Sequence, residues 1–212
     1  MNTDYIMRII EQFAAFLWAI VFNKKAENYD LALEKINEAY NGLLHLNADL
    51  TKISSVDEII ESNKYKNILD KDNIEMIANL LFEEADILER MNEKNIVSFD
   101  YYQKSIELFY VLFGETENKK YCKNIEEIIA KLENYETGNE TIMKTYEYYF
   151  KINSYGKAED KLYELLENDY PDIRNTINEF YEILLGKDDV NLEKGNLPRK
   201  EIVEAVDKFN ER

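Results

Sequence analysis

Apolar residues recur along this chain at intervals of three and four, the mark of helices with one buried face. One arrangement returns three times: Tyr29, Ala32, Ile36 and Ala39; Tyr102, Ser105, Phe109 and Leu112; Tyr155, Ala158, Leu162 and Leu165. In each copy the second position is small, which lets a neighbouring helix come close. Each copy therefore predicts one helix of an antiparallel hairpin with a short connection. Further single-face stripes predict more helices: Ile74, Ile77, Leu81, Ala85 and Leu88; Ile125, Ile128, Ile129, Leu132 and Tyr135; Ile173, Ile177, Phe180, Ile183 and Leu184; Ile202, Val203, Val206 and Phe209.

Polar punctuation places the ends. Thr3 or Asp4 caps a first helix that runs to about Phe22, and Asn28 opens a second that continues through Leu46. Ser54 and Ser55 ahead of Val56-Asp57-Glu58 form an N-cap signature for a short helix to about Ser62. Thr137-Gly138-Asn139 breaks the chain, and Pro171 suits the first turn of a later helix. Residues 187–197 are charged and poor in apolar groups, so they read as a linker before a final helix at 198–212. The expected organisation is one helical domain over 1–186, this linker, and a last helix packing back on the same domain.

Phe13 to Phe22 is ten apolar residues without a break. A membrane-spanning helix needs about 20, and Arg8, Glu11 and Gln12 interrupt any backward extension. No basic leader or small-residue cleavage site marks it as a signal peptide. The expectation is a helix buried on most of its circumference, in a cytoplasmic protein.

Composition narrows the class. With 6 Gly and 2 Pro in 212 residues, turn-rich β architectures are disfavoured. The net charge of −17 divides evenly, −8 over residues 1–106 and −9 over 107–212. A field of that sign repels phosphate backbones and anionic membranes, so neither nucleic acid nor membrane is an expected partner, whereas a basic protein or peptide is. The single cysteine, Cys122, forbids an intrachain disulfide and suits a reducing compartment.

The three hairpin faces resemble those of tetratricopeptide repeats, in which an aromatic residue is followed by a small one three positions on and a large one four further. Tyr29/Ala32/Ile36/Ala39 and Tyr155/Ala158/Leu162/Leu165 carry the resemblance best; the middle copy has Ser105 and Leu112 in its small positions. The copies lie 73 and 53 residues apart, whereas that family repeats about every 34. The resemblance covers 5–46, 73–113 and 139–170. It implies an all-α fold of about 8–10 helices, antiparallel hairpins stacked as an irregular superhelix. It also implies that the first helix of each pair lines a concave binding wall. In the third pair that register offers Met143, Glu147, Phe150 and Lys151 to a ligand.

Catalytic groups are sparse. His45 is the only histidine and falls near a helix end; Cys122, between lysines, has neither a resolving cysteine nor a base beside it. Asp70-Lys71-Asp72 and the run Asp188, Asp189, Asn191 and Glu193 lack the Gly and Glu that a calcium loop requires. Glu83-Glu84 and Glu126-Glu127 read as solvated pairs on different sides of their helices. Sixteen tyrosines suit helix seams and binding grooves alike. The reading is a non-catalytic protein- or peptide-binding module with no cofactor and no metal. Two alternatives are a regulator holding a small ligand or peptide, and a structural protein that self-associates as a homodimer through its first helix.

Overall fold

The computed structural model describes residues 3–92, 96–116 and 119–210. These are all-α apart from one two-stranded hairpin, and they form two compact units, Met1–Glu136 and Thr137–Arg212. The boundary falls at the Thr137-Gly138-Asn139 break, inside the stretch 1–186 expected to be a single domain.

The first unit contains α1 (Thr3–Lys25), α2 (Tyr29–Glu38), α3 (Ala48–Ile53), α4 (Val56–Ser62), α5 (Lys71–Asn92), α6 (Ile96–Thr116) and α7 (Cys122–Leu132). The second contains α8 (Asn139–Lys151), α9 (Tyr155–Glu167), α10 (Ile173–Leu185), α11 (Asp189–Lys194) and α12 (Arg199–Asn210). The twelve α-helices among the described residues thus exceed the expected eight to ten, because short segments such as α3 and α11 are separately capped.

The three recurring faces lie on α2, α6 and α9, which pack on α1, α5 and α8 respectively. Ala32, Ser105 and Ala158 are all fully buried, as are Ile36, Leu112 and Leu165. At the middle seam the Ser105 hydroxyl donates to the Ala78 carbonyl of α5 at 2.7 Å. A larger side chain there would hold the two backbones apart. Ser55 caps α4 in a full capping box with Glu58, as its sequence predicts.

Four local features depart from the sequence reading. Helix α2 does not run as α-helix to Leu46. It widens at Ala39–Leu43 into a π turn, closed by the Leu44 amide bonding to the Ala39 carbonyl and Leu46 to Tyr40. His45 ends it in the left-handed region (φ 54°) and is exposed. Between α4 and α5 the chain forms an antiparallel hairpin, β1 (Lys64–Tyr65) and β2 (Ile68–Leu69). Its turn, Lys66-Asn67, has positive φ at both residues, the geometry that matches strand twist.

The segment 187–197 is a docked element rather than a plain linker. Asp188 caps α11 by accepting the Asn191 amide, and Leu192 and Leu197 are buried. The Gly156 amide at the start of α9 donates to the Gly195 carbonyl at 3.0 Å. A Cβ on Gly195 would lie 2.2 Å from the Tyr155 ring, so only glycine permits this approach. Finally, α1 buries only part of its surface. Phe13 and Ile20 are in the core, whereas Trp18 is 69% exposed and Met7, Ile10 and Phe22 are each half exposed or more.

Candidate functional site

Two adjoining recesses follow the α1–α2 hairpin. The larger, about 710 Å³, is lined along α2 by Asp30, Leu33, Glu34, Asn37 and Glu38, with Phe16 from α1 and Asn41 and Gly42 from the π turn. Spacings of three and four keep those α2 side chains on one face. The smaller, about 460 Å³, shares Phe16, Glu38 and Gly42 and adds Gln12, Ala15 and Ala19 of α1 with Lys35 and Leu43. The π turn shapes both, because it carries Gly42 to the junction with open space where a side chain would stand. The result is an apolar floor under a rim of three carboxylates, Asp30, Glu34 and Glu38. One cation answers them: Lys35 donates to Glu38 at 2.7 Å, and that hydrogen bond raises the lysine pKa.

Beneath the groove the unit is held by buried charge on α5. Asn37 of the groove accepts a hydrogen bond from Lys52 at 2.8 Å, and Lys52 in turn pairs with Glu84 at 2.8 Å. One face further round, Glu83 receives Lys24 of α1 at 2.5 Å. Asp86 receives Lys24 at 2.8 Å, Lys131 of α7 at 2.5 Å and Arg90 at 3.0 Å. Glu89 completes the row, accepting from Lys131, Tyr102 and Tyr135.

Burial raises the pKa of Glu83 and Glu84 above the usual carboxylate range, against the pull of Lys24 and Lys52. At Asp86 burial acts in the same direction, but hydrogen bonds from Lys131 and Lys24 overrule it and hold the carboxyl well below its ordinary value. Burial, then the charge on Glu84, keeps the Tyr40 phenol far above its usual pKa and pushes Tyr101 up to about 12. The Tyr40 hydroxyl and one oxygen of Glu84 have no hydrogen-bond partner. Lys24, Lys52, Glu84 and Asp86 are buried, with Lys131 and Arg90 at the edge, so the chemistry of the network is cohesion: it ties α1, α3 and α7 to α5.

The sequence reading missed this network. Glu83 and Glu84 do point to different sides of their helix, but each side carries a lysine of another element rather than water. The signal available was that the stripe of α5 is wide, so that residues beside it are buried too.

The residues offered by the tetratricopeptide register lie together on α8 in the second unit. Met143 is half-buried, and Glu147 and Lys151 are exposed. Phe150 is engaged in an aromatic cluster, with ring centroids 5.9 Å from Phe180, 6.0 Å from Tyr146 and 6.1 Å from Tyr155. Its ring is therefore a packing residue of that unit. Cys122 is half-buried at the start of α7. Among the described residues no three His, Cys, Asp or Glu side chains converge in a way that could hold a metal ion. No described helix is long and apolar enough to cross a membrane.

These features define a helical-hairpin protein with an acidic groove along its first hairpin. The chain belongs to a family of unknown function, DUF6483, whose model matches residues 71–212. The match begins at the first residue of α5 and runs through α12, so the α1–α2 groove lies ahead of it. No curated protein and no solved structure matches the chain.

Proposed function

We propose that this protein is a non-catalytic binding module whose α1–α2 groove takes a basic, amphipathic segment of a partner protein. The observation that carries the reading is the pairing of an apolar floor, Phe16 and Leu33, with the carboxylates of Asp30, Glu34 and Glu38. An amphipathic segment would set apolar anchors on that floor and direct Lys or Arg at the rim. The field of a chain with net charge −17 would steer such a partner inward. In this proposal the hairpins stack in a tetratricopeptide-like manner, and the module works in the cytoplasm.

The test is selection of random twelve-residue peptides on the immobilised protein. Enriched sequences should combine Lys or Arg with aliphatic or aromatic residues, and Glu34→Lys/Glu38→Lys should lose them while its melting temperature holds. Gly42→Leu should also lose them, by filling the junction of the two recesses. Enrichment of neutral or acidic peptides, or binding indifferent to all three substitutions, would refute the proposal.

A further inference from the structure

The exposed face of α1 is separate from the groove, and its sequence is self-complementary. Met7, Glu11, Ala14, Trp18, Val21 and Lys25 follow one another at alternating steps of four and three, the seam of a coiled coil. Ile10 and Phe22 flank that seam, and Trp18 and Phe22 stack with ring centroids 5.2 Å apart, so the apolar surface is partly preordered. Residues 12–23 carry no charge at all in a chain that is 33% charged. Lys24 is buried against Glu83 and Asp86, and in the rest of α1 Arg8 and Lys25 balance Asp4 and Glu11, leaving no net charge. The self-repulsion expected of so acidic a protein is therefore absent at this face.

We infer that α1 pairs with α1 of a second copy of this chain, antiparallel and crossing at Trp18. Charge and size both select that register. Glu11 and Lys25 lie seven residues on either side of Trp18, about 10 Å along the helix. Both are exposed, and neither has a partner within the chain among the described residues. An antiparallel crossing at Trp18 sets Glu11 of each copy against Lys25 of the other, giving two equivalent ion pairs. The same crossing sets Ala14 against Phe22, small against large, and the two tryptophans against each other on the two-fold axis. This is an isologous interface in which one patch serves both copies. A parallel pairing would instead put Glu11 opposite Glu11 and Lys25 opposite Lys25.

The experiment is sedimentation velocity across protein concentration, together with the emission of Trp18, the only tryptophan. The native chain should move from monomer to dimer as concentration rises, and its emission should shift to the blue over the same range. Trp18→Glu should raise the dissociation constant about a hundredfold or more while helicity by circular dichroism stays native. Glu11→Lys should weaken the dimer, and Glu11→Lys/Lys25→Glu should restore it. A native chain that stays monomeric with unshifted emission, a dimer unaffected by Trp18→Glu, or a double swap that fails to restore pairing would each overturn the inference. The groove substitutions Glu34→Lys and Glu38→Lys should leave this equilibrium unchanged, so the two readings fail separately.

Discussion

Asp86→Asn removes one negative charge from a buried site paired with three cations, at almost no change in shape. The Asp86 side chain is only 5% exposed, and it faces three cations from three helices. Removing one partner of a buried ion pair costs about 3–5 kcal/mol, because the charge left behind is uncompensated. Here the loss is reduced, since Lys24 keeps Glu83 at 2.5 Å and Lys131 keeps Glu89 at 2.6 Å. Arg90 is half exposed and can turn to water. The expected cost is therefore about 2–3 kcal/mol. At roughly 2 cal/mol/K of unfolding entropy per residue, a unit of this size loses about 7–10 °C in melting temperature. Thermal unfolding followed by circular dichroism reads this directly, with the exposed-site substitution Glu193→Gln as the control. A loss below about 0.5 kcal/mol would show that the three cations are held by packing alone and that the network is not a source of cohesion.

The same carboxylates set a pH dependence. Glu83 and Glu84 have pKa values raised above the usual 4.5, so the stability they contribute is present below that value and lost as pH rises through the raised ones. The melting temperature should therefore climb as pH falls from neutral toward 4.5, and Glu84→Gln should flatten that climb; a fall over the range would contradict the assignment. Asp86 acts oppositely, contributing above its ordinary 3.8 and failing only in strongly acidic solution, outside this window. In the second unit, Gly195→Ala would drive a Cβ to 2.2 Å from the Tyr155 ring and 2.7 Å from the Asn153 carbonyl. It should destabilise that unit by about 1–3 kcal/mol, seen as faster amide exchange in α9, and a neutral result would mean that α11 is not docked as described.

The helices and their seams could be read from the chain because each is local. Ala32, Ser105 and Ala158 announce close approach by size alone, and all three are fully buried. Features that depend on a distant partner could not. Nothing near Glu83 or Glu84 shows that Lys24 and Lys52 will reach them, and nothing near Gly195 shows that Tyr155 will pack on it. Trp18 misled for the converse reason: an apolar run implies burial only if something covers each side, and the pattern within one helix does not say what does. The π turn was hidden as well, since Ala39-Tyr40-Asn41-Gly42-Leu43 contains no helix breaker stronger than one glycine. The groove was missed with it, because Gly42 comes to line the same recess as Phe16 only through that turn.

The lysine of α1 that reaches Glu83 spans 59 residues of chain. A ribosome must therefore finish most of α5 before the first helix has any carboxylate to hold it. Until then only α2 is there to cover Phe13, Ile20 and the apolar run between them. Synthesis order thus leaves this hairpin for an interval without the buried ion pairs that anchor it to α5, and in that interval a holding chaperone would find it.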